Sequence, residues 1–219
     1  LSISGEGALA EVHGGNQTRM FEVSLGGGLT LTQLTLSGGN ETNGGAVYSN
    51  SAALILDSCI FHDNVATDGD GGAVWAKGGN VTIIGGHFLG NKASGHGGAS
   101  SSATSCSLSD TEFTSNTATL EYDGGKGFDF SEGVDGGGAV VFLIANANIT
   151  DSVFSGNHAQ HSGGALLGGY GTDITVNGCT FETNTAEMFG GAIAAASMTL
   201  GGSTQLTNNT ATLSGGAVS

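Results

Sequence analysis

Residues 61–74 read FHDNVATDGDGGAV, and they contain two short motifs that return along the chain. The tripeptide Gly-Gly-Ala recurs at intervals of 27, 26, 40, 26, 27 and 25 residues, beginning at Gly44, Gly71, Gly97, Gly137, Gly163, Gly190 and Gly215. An aromatic or Leu residue stands three places before an Asn at intervals of 27, 25, 41, 27 and 25 residues, at Phe61, Phe88, Phe113, Phe154, Phe181 and Leu206. Two independent motifs therefore share one period of about 26 residues. The long interval in both series places a loop insertion at residues 119–136.

Alignment of the repeats on their Phe residues predicts an all-β fold. Apolar residues recur seven and five places before the Phe, as in Leu54 and Leu56, and polar residues mostly separate them, which is typical of a half-buried strand. Short strands, Gly corners and a fixed period indicate a parallel β-helix, or β-solenoid, of about eight coils, with three short strands in each coil.

Coils that stack at the strand spacing of about 4.8 Å bring equivalent residues into contact. We therefore expect an internal aromatic stack and an internal amide ladder. The expected members are Phe61, Phe88, Phe113, Phe154 and Phe181, with Asn64, Asn91, Asn116, Asn157, Asn184 and Asn209.

A leucine-rich repeat is the competing fold. Leu56, Cys59, Phe61 and Asn64 have the spacing of its L-x-x-L-x-L-x-x-N consensus, and its period of about 20 to 29 residues includes this one. However, the second Leu position is mostly Cys, Gly, Thr or Ser here, and no segment after Gly-Gly-Ala has a helical pattern. The all-strand coil is therefore favoured.

Composition excludes several classes of protein. The 219 residues include 42 Gly and no Pro, and 19 Asp and Glu stand against 4 Lys and Arg, for a formal charge of −15. Such a chain lacks the cationic surface that nucleic acids and anionic membranes require, so neither is an expected partner. No apolar run approaches the roughly 20 residues of a membrane-spanning helix, so no membrane insertion is expected.

The two motifs resemble the repeats of the polymorphic outer membrane proteins of chlamydiae. The matching segments include Gly71-Gly72-Ala73-Val74 with Phe61-His62-Asp63-Asn64, and Gly190-Gly191-Ala192-Ile193 with Phe181-Glu182-Thr183-Asn184. The resemblance covers about residues 44 to 218. It implies a right-handed parallel β-helix that is extracellular or on the cell surface, and often adhesive. Two departures are Ser100 after Gly98-Ala99 and Leu206 in place of Phe.

Residues 1–219 are expected to form a single β-helix domain. The repeat begins and ends without a polar cap, and an uncapped coil exposes strand edges. We therefore expect either a segment of a longer surface protein or a subunit that stacks in a filament. Its partners would be other subunits or neighbouring domains at the coil ends, with glycans or a host or cell-surface receptor as further candidates.

No catalytic or cofactor-binding residues are expected. A polysaccharide lyase or hydrolase needs carboxylates that converge on one outward face, and the acids do not align in that way. Asp57, Asp110 and Asp151 fall near one corner, where they would cap a bend. The six His residues are scattered along the chain.

Calcium is the one metal for which ligands can be named. Carboxylates in two loops could supply oxygen ligands, namely Asp68 and Asp70 in one loop and Asp129 and Asp135 in the insertion. Neither set matches the twelve-residue calcium loop. The insertion also carries Tyr122, Phe128 and Phe130 among acids and Gly, so these aromatics either contact a partner or fold back over the helix side.

Three Cys residues are expected to be free thiols. Cys59 and Cys179 share one column four coils apart, and this separation exceeds the reach of a disulfide. Five Asn-x-Ser/Thr sequons mark possible N-glycosylation, at Asn16, Asn40, Asn80, Asn148 and Asn208.

The sequence thus predicts a non-catalytic, extracellular structural or adhesive protein. The alternatives are a carbohydrate-active enzyme built on a β-helix and a solenoid that binds glycans or ice. An ice-binding face would need Thr at equal offsets in successive coils, and Thr30-Leu31-Thr32 is the one segment in which the pattern stands out.

Overall fold

A computed structural model describes residues 1–5, 10–102, 105–119, 136–142, 146–169 and 171–219. Within these ranges all the regular secondary structure is β-strand. The strands form four parallel sheets, which we call sheets A to D. Sheet A contains β1 (Ser2–Ser4), β4 (Gly28–Thr32), β8 (Ala53–Asp57), β12 (Val81–Ile84), β16 (Cys106–Ser109), β20 (Ala147–Thr150), β24 (Ile174–Asn177) and β28 (Met198–Gly201). Sheet B contains β2 (Ala10–His13), β5 (Leu34–Ser37), β9 (Ile60–His62), β13 (His87–Leu89), β17 (Glu112–Thr114), β21 (Val153–Ser155), β25 (Thr180–Glu182) and β29 (Gln205–Thr207).

The remaining two sheets have seven strands each. Sheet C contains β3 (Phe21–Val23), β7 (Val47–Asn50), β11 (Val74–Lys77), β15 (Ser100–Ser102), β19 (Val140–Phe142), β23 (Leu166–Gly168) and β27 (Ile193–Ala195). Sheet D contains two-residue strands, β6 (Asn40–Glu41), β10 (Val65–Ala66), β14 (Lys92–Ala93), β18 (Thr117–Ala118), β22 (His158–Ala159), β26 (Thr185–Ala186) and β30 (Thr210–Ala211). Along the chain, one coil passes through sheets A, B, D and C in that order.

The fold is a parallel β-solenoid with a period of about 26 residues, as the sequence predicted. Each strand pairs with the equivalent strand of the coils before and after it, so Phe88 lies opposite Phe61 on one side and Phe113 on the other. Each coil contributes one strand to a sheet, so the eight strands of sheets A and B correspond to eight coils and the seven strands of sheets C and D to seven. The predicted three strands per coil were one too few, because the residues after each ladder Asn form the short strands of sheet D.

Aromatic rings fill the centre of the coil along sheet B. Phe61, Phe88, Phe113, Phe154 and Phe181 are fully buried. Successive rings are stacked with nearly parallel planes, and their centroids are 4.7, 4.8, 5.0 and 4.7 Å apart. Each buried aromatic side chain contributes roughly 1.5–3 kcal/mol to folding. The stack also fixes the register, because a shift of one residue would turn the rings to solvent.

A ladder of Asn side chains runs beside the aromatic stack, at the corner between sheets B and D. Asn116 is fully buried, and its Nδ2 donates to Asn157 Oδ1 at 3.0 Å and to the carbonyl oxygen of Phe88 at 2.9 Å. Its Oδ1 accepts from the backbone N–H and from Nδ2 of Asn91, both at 3.0 Å. The amide therefore uses all of its donors and acceptors. Asn91, Asn157 and Asn184 repeat the arrangement, and Asn64 begins the ladder, with its Oδ1 accepting from the Gly39 N–H at 2.9 Å.

Two of the corners place a residue with a side chain in the left-handed backbone region. At the corner between sheets A and B, Asp110 and Asp151 have φ angles of 51° and 49°. At the corner between sheets B and D, Asp63 and Ser115 have φ angles of 53° and 54°. Gly takes the same positions in other coils, at Gly85 and Gly90 for example, and a Cβ added to Gly90 would meet its first neighbour at 3.3 Å. There is room for a side chain at these corners.

The Gly-Gly-Ala corner has no such room. Gly71 is the first Gly of one such motif, and its φ is 65°. A Cβ added to Gly71 would lie 2.1 Å from the carbonyl oxygen of Val74. A Cβ on the second Gly, Gly72, would lie 2.0 Å from the carbonyl oxygen of Gly98 in the next coil. These obstacles are backbone atoms, so they cannot move aside as a side chain can. The motif is therefore a steric requirement of the coil stacking.

The ladder predicts a large loss of stability for Asn116→Leu. Leu has a similar size but leaves the Asn91 donors, Asn157 Oδ1 and the Phe88 carbonyl without their buried partner, and each such group costs about 1–3 kcal/mol. We expect a loss of at least about 3 kcal/mol in chemical denaturation. Asn148→Leu is the matched control, because Asn148 is exposed on sheet A, and it should change stability by less than about 0.5 kcal/mol. Equal losses in the two variants would contradict the buried ladder.

The corners predict opposite tolerance at two glycines. Gly72→Ala should prevent folding or lower the denaturation midpoint severely, because its methyl group would overlap the backbone of the next coil. Gly90→Ala should cost only about 1–2 kcal/mol, the price of a left-handed backbone at an open site. The measurement is soluble yield followed by thermal and urea denaturation. A Gly72→Ala protein as stable as Gly90→Ala would rule out the close approach of the coils.

Candidate functional site

The outer face of sheet A carries a shallow trough of about 520 Å³, which we call the sheet A trough. It spans four successive coils and is formed by two columns of side chains. The first column, at the entrance to the strands, consists of Asn80, Ser105, Asn146 and Asp173. The second column, two residues further along each strand, consists of Thr82, Ser107, Asn148 and Thr175.

Most of these polar side-chain groups form no hydrogen bond within the described part of the chain. Ser105 Oγ donates to Asn80 Oδ1 at 2.8 Å, and Asn146 Oδ1 accepts from the Asp173 N–H at 3.4 Å. In the second column, the side chains form no hydrogen bond with another residue of the described ranges. Their donors and acceptors are therefore available to a ligand.

Sequence reasoning recognised only Thr30-Leu31-Thr32 in this array. The strand register shows that Thr30 belongs to the same outward column as the trough, and the column continues to Thr199. Ile55 and Asn148 interrupt the hydroxyl groups of this column. This column is visible in the sequence at the position six residues before each Phe. It was missed because the position repeats small polar side chains in general and no single residue type.

Several carboxylate and His side chains of the described residues form pairs. His62 Nδ1 lies 2.9 Å from Asp63 Oδ2, and His87 Nδ1 lies 3.1 Å from Glu112 Oε2. His62 and His87 stand in different columns, since His62 pairs with Leu89 and His87 pairs with Ile60. In the part of the chain that the structure describes, no three His, Cys, Asp or Glu side chains group as metal ligands would.

Two of the four predicted calcium ligands lie within the described residues. Asp68 is exposed, whereas Asp70 is half-buried and forms hydrogen bonds with residues of the two adjacent loops. Asp70 accepts the His96 N–H at 2.8 Å, and its own N–H donates to Asn43 Oδ1 at 2.9 Å. Asp129 and Asp135 lie outside the described residues. The geometry of Asp70 shows that it stabilises stacked loops, and calcium binding there stays a prediction.

The residues expected to bend the chain occupy the corner between sheets A and B. Asp110 and Asp151 hold the left-handed position itself. Asp57 stands one place earlier, where its Oδ1 accepts from Ser58 Oγ at 2.8 Å. These carboxylates are therefore spread along a corner, where they do not face one another across a cleft.

The three thiols are free and buried. Cys59 and Cys179 occupy equivalent positions, and each Sγ lies 3.4 Å from the carbonyl oxygen two residues earlier. Burial raises the pKa of both thiols, and it raises the pKa of Cys106 from 9.0 to about 12. A protonated, enclosed thiol is a poor nucleophile, so these residues serve as small core groups.

An aromatic pair marks the outer face of sheet C. The rings of Tyr48 and Trp75 lie with centroids 4.9 Å apart, and the guanidinium of Arg19 lies 4.8 Å from the Tyr48 ring centroid. Arg19 also pairs with Glu22 at 2.9 Å. The Tyr48 ring is therefore engaged by contacts within the protein. The aromatics that the sequence singled out, Tyr122, Phe128 and Phe130, lie outside the described residues.

The sequons fall at different places on the surface. Asn16 and Asn208 are exposed at left-handed turns, with φ angles of 59° and 55°. Asn80 and Asn148 are exposed on sheet A, within the trough. Asn40 is half-buried, and its Nδ2 donates to the Asn16 carbonyl at 3.2 Å. Glycosylation of any of them stays a prediction.

The buried thiols predict how reactivity and stability depend on pH. At pH 8 the native protein should not react with a thiol reagent such as DTNB, whereas the denatured chain should show three reactive groups. Because the folded pKa of Cys106 is raised, its contribution to stability is complete below pH 9.0 and is lost as the pH rises towards about 12. Cys106→Ala should therefore lose less stability over that range than the wild type. Rapid labelling of Cys106 in the native state would contradict its burial.

Comparison with known proteins identifies one part of the chain. Residues 151–169 match the family model of the Chlamydia polymorphic membrane protein (Chlamydia_PMP) repeat. These residues include the ring of Phe154, the ladder residue Asn157 and the Gly163-Gly164-Ala165 corner. No curated protein and no solved structure matches the chain significantly. Among the described residues, no helix has the length and apolar character needed to cross a membrane. The chain therefore carries a repeat of the Chlamydia polymorphic membrane protein type, set in a parallel β-solenoid.

Proposed function

We propose that the protein is an extracellular, cell-surface β-solenoid with a non-catalytic structural or adhesive role. The observation that carries this proposal is the polymorphic membrane protein repeat at residues 151–169, which belongs to a family named for membrane proteins. A repeat of this kind in one coil, with the same ladders in the coils around it, supports a common role for the whole stack.

The physical character of the solenoid supports a structural role. Backbone hydrogen bonds join the described coils to their neighbours, and stacked rings and paired amides add to them in the five coils from Phe61 to Phe181. Such a stack is stiff along its axis and presents long, regular outer faces, which suit a spacer or an adhesive surface. The charge of −15 keeps these faces soluble and disfavours contact with anionic membranes and nucleic acids.

The chemistry of the described surface supports a role without catalysis. Among the described residues, no His and carboxylate pair groups with a third His, Cys, Asp or Glu side chain, and burial raises the pKa of the thiols. The proposal includes contacts with other protein subunits or neighbouring domains at the coil ends, where edge strands present backbone groups that can pair. A receptor on a host or on another cell is a further candidate partner.

Localisation on intact cells tests the proposal. Antibodies raised against the 219-residue chain should label unpermeabilised cells of the source organism, and brief treatment of those cells with protease should remove the label. Beads coated with the protein should bind cells if the role is adhesive and should not if it is purely structural. Labelling that appears only after permeabilisation would overturn the surface location.

An activity screen tests the absence of catalysis separately. Incubation with acidic and neutral polysaccharides should release neither reducing ends nor unsaturated sugars. Turnover that disappears on substitution of a carboxylate on sheet A or sheet B would replace the structural role with that of a carbohydrate-active enzyme.

A further inference from the structure

We propose that the sheet A trough binds a neutral, linear polysaccharide that lies parallel to the solenoid axis, with about one sugar unit on each coil. This site is independent of the surface role proposed above. A negative result here would leave that role standing.

The first argument is the chemistry of the trough. Seven of its eight outward polar residues carry uncharged amides or hydroxyls, and Asp173 is the single carboxylate. Thr82, Ser107, Asn148 and Thr175 use none of their side-chain hydrogen-bonding capacity on other described residues. Hydroxyls and amides that can both donate and accept are suited to the hydroxyl groups of a sugar.

The second argument is the repeat distance. Equivalent atoms in successive coils are separated by 4.7–5.0 Å, as the aromatic stack measures directly. This rise is close to the length of one sugar ring in an extended glycan. A ligand with the same period would meet an equivalent pair of polar groups on each of the four coils.

The third argument concerns the ligands that the trough disfavours. The backbone groups beneath it are already paired within sheet A, so an extended peptide has no free strand edge to join. The charge of the chain and the carboxylate of Asp173 repel acidic polysaccharides. Hydrolysis of a glycosidic bond generally requires a pair of carboxyl groups, and the trough has one, so the ligand would be bound without cleavage.

The experiment is a titration of the 219-residue chain, produced in bacteria so that Asn80 and Asn148 carry no glycan. The probes are cellohexaose, xylohexaose, mannohexaose, laminarihexaose and maltohexaose, with hexagalacturonate as the acidic comparison, followed by calorimetry. At least one neutral hexasaccharide should bind with a Kd on the order of 0.1–1 mM, which hydrogen bonds at an exposed site can supply. The corresponding disaccharide should bind at least about tenfold more weakly, since it reaches fewer coils.

A pair of matched variants locates the site. Ser107→Tyr places a ring in the middle of the trough and should weaken binding at least about tenfold. Ser155→Tyr makes the same change on the outer face of sheet B and should leave binding unchanged. Both positions face outward, so both variants should retain the wild-type denaturation midpoint.

Three results would overturn the proposal. The first is that no neutral hexasaccharide binds at millimolar concentration. The second is that hexagalacturonate binds as tightly as the neutral probes. The third is that Ser107→Tyr and Ser155→Tyr bind equally well, which would place the ligand elsewhere on the protein.

Discussion

Direct stacking of equivalent residues, one coil above the next, governs every other feature of this protein. Parallel pairing in register brings Phe onto Phe at 4.7–5.0 Å and Asn onto Asn within hydrogen-bond distance. Residues about 26 positions apart in sequence thereby become immediate neighbours. The chain can stabilise its core with few side-chain types because each one is repeated where its copies contact one another. The absence of Pro has the same origin, since even corner residues donate their N–H to an adjacent coil, as Gly71 does to His96.

The same stacking explains why some corners vary and one does not. Where the corner lies at the outside of the coil, as at Asp63 or Ser115, a side chain in the left-handed region points to free space. At the Gly-Gly-Ala corner, the backbone of one coil lies against the backbone of the next, and only a residue without a Cβ fits. The most regular motif of the sequence therefore marks the closest approach of the main chain.

The sequence was sufficient to predict the architecture but not the candidate site. Period and alternation predicted the parallel solenoid, because the register follows from equal spacing of Phe and Asn. The strands of sheet D were missed, since two residues such as Val65 and Ala66 are too few to show alternation. The sheet A trough was missed because its columns mix Thr, Ser and Asn, so that no single residue type repeats.

The Asn ladder is not symmetric from end to end. Asn91 receives hydrogen bonds at Oδ1 from Asn64 and gives one through Nδ2 to Asn116, and each later amide repeats this orientation. The amide dipoles therefore align head to tail, and chains of such bonds reinforce one another. All strands of the coil also run in one direction. A second stack that continued these parallel sheets would have the same orientation, so growth along the axis would be polar and would have no two-fold axis perpendicular to it.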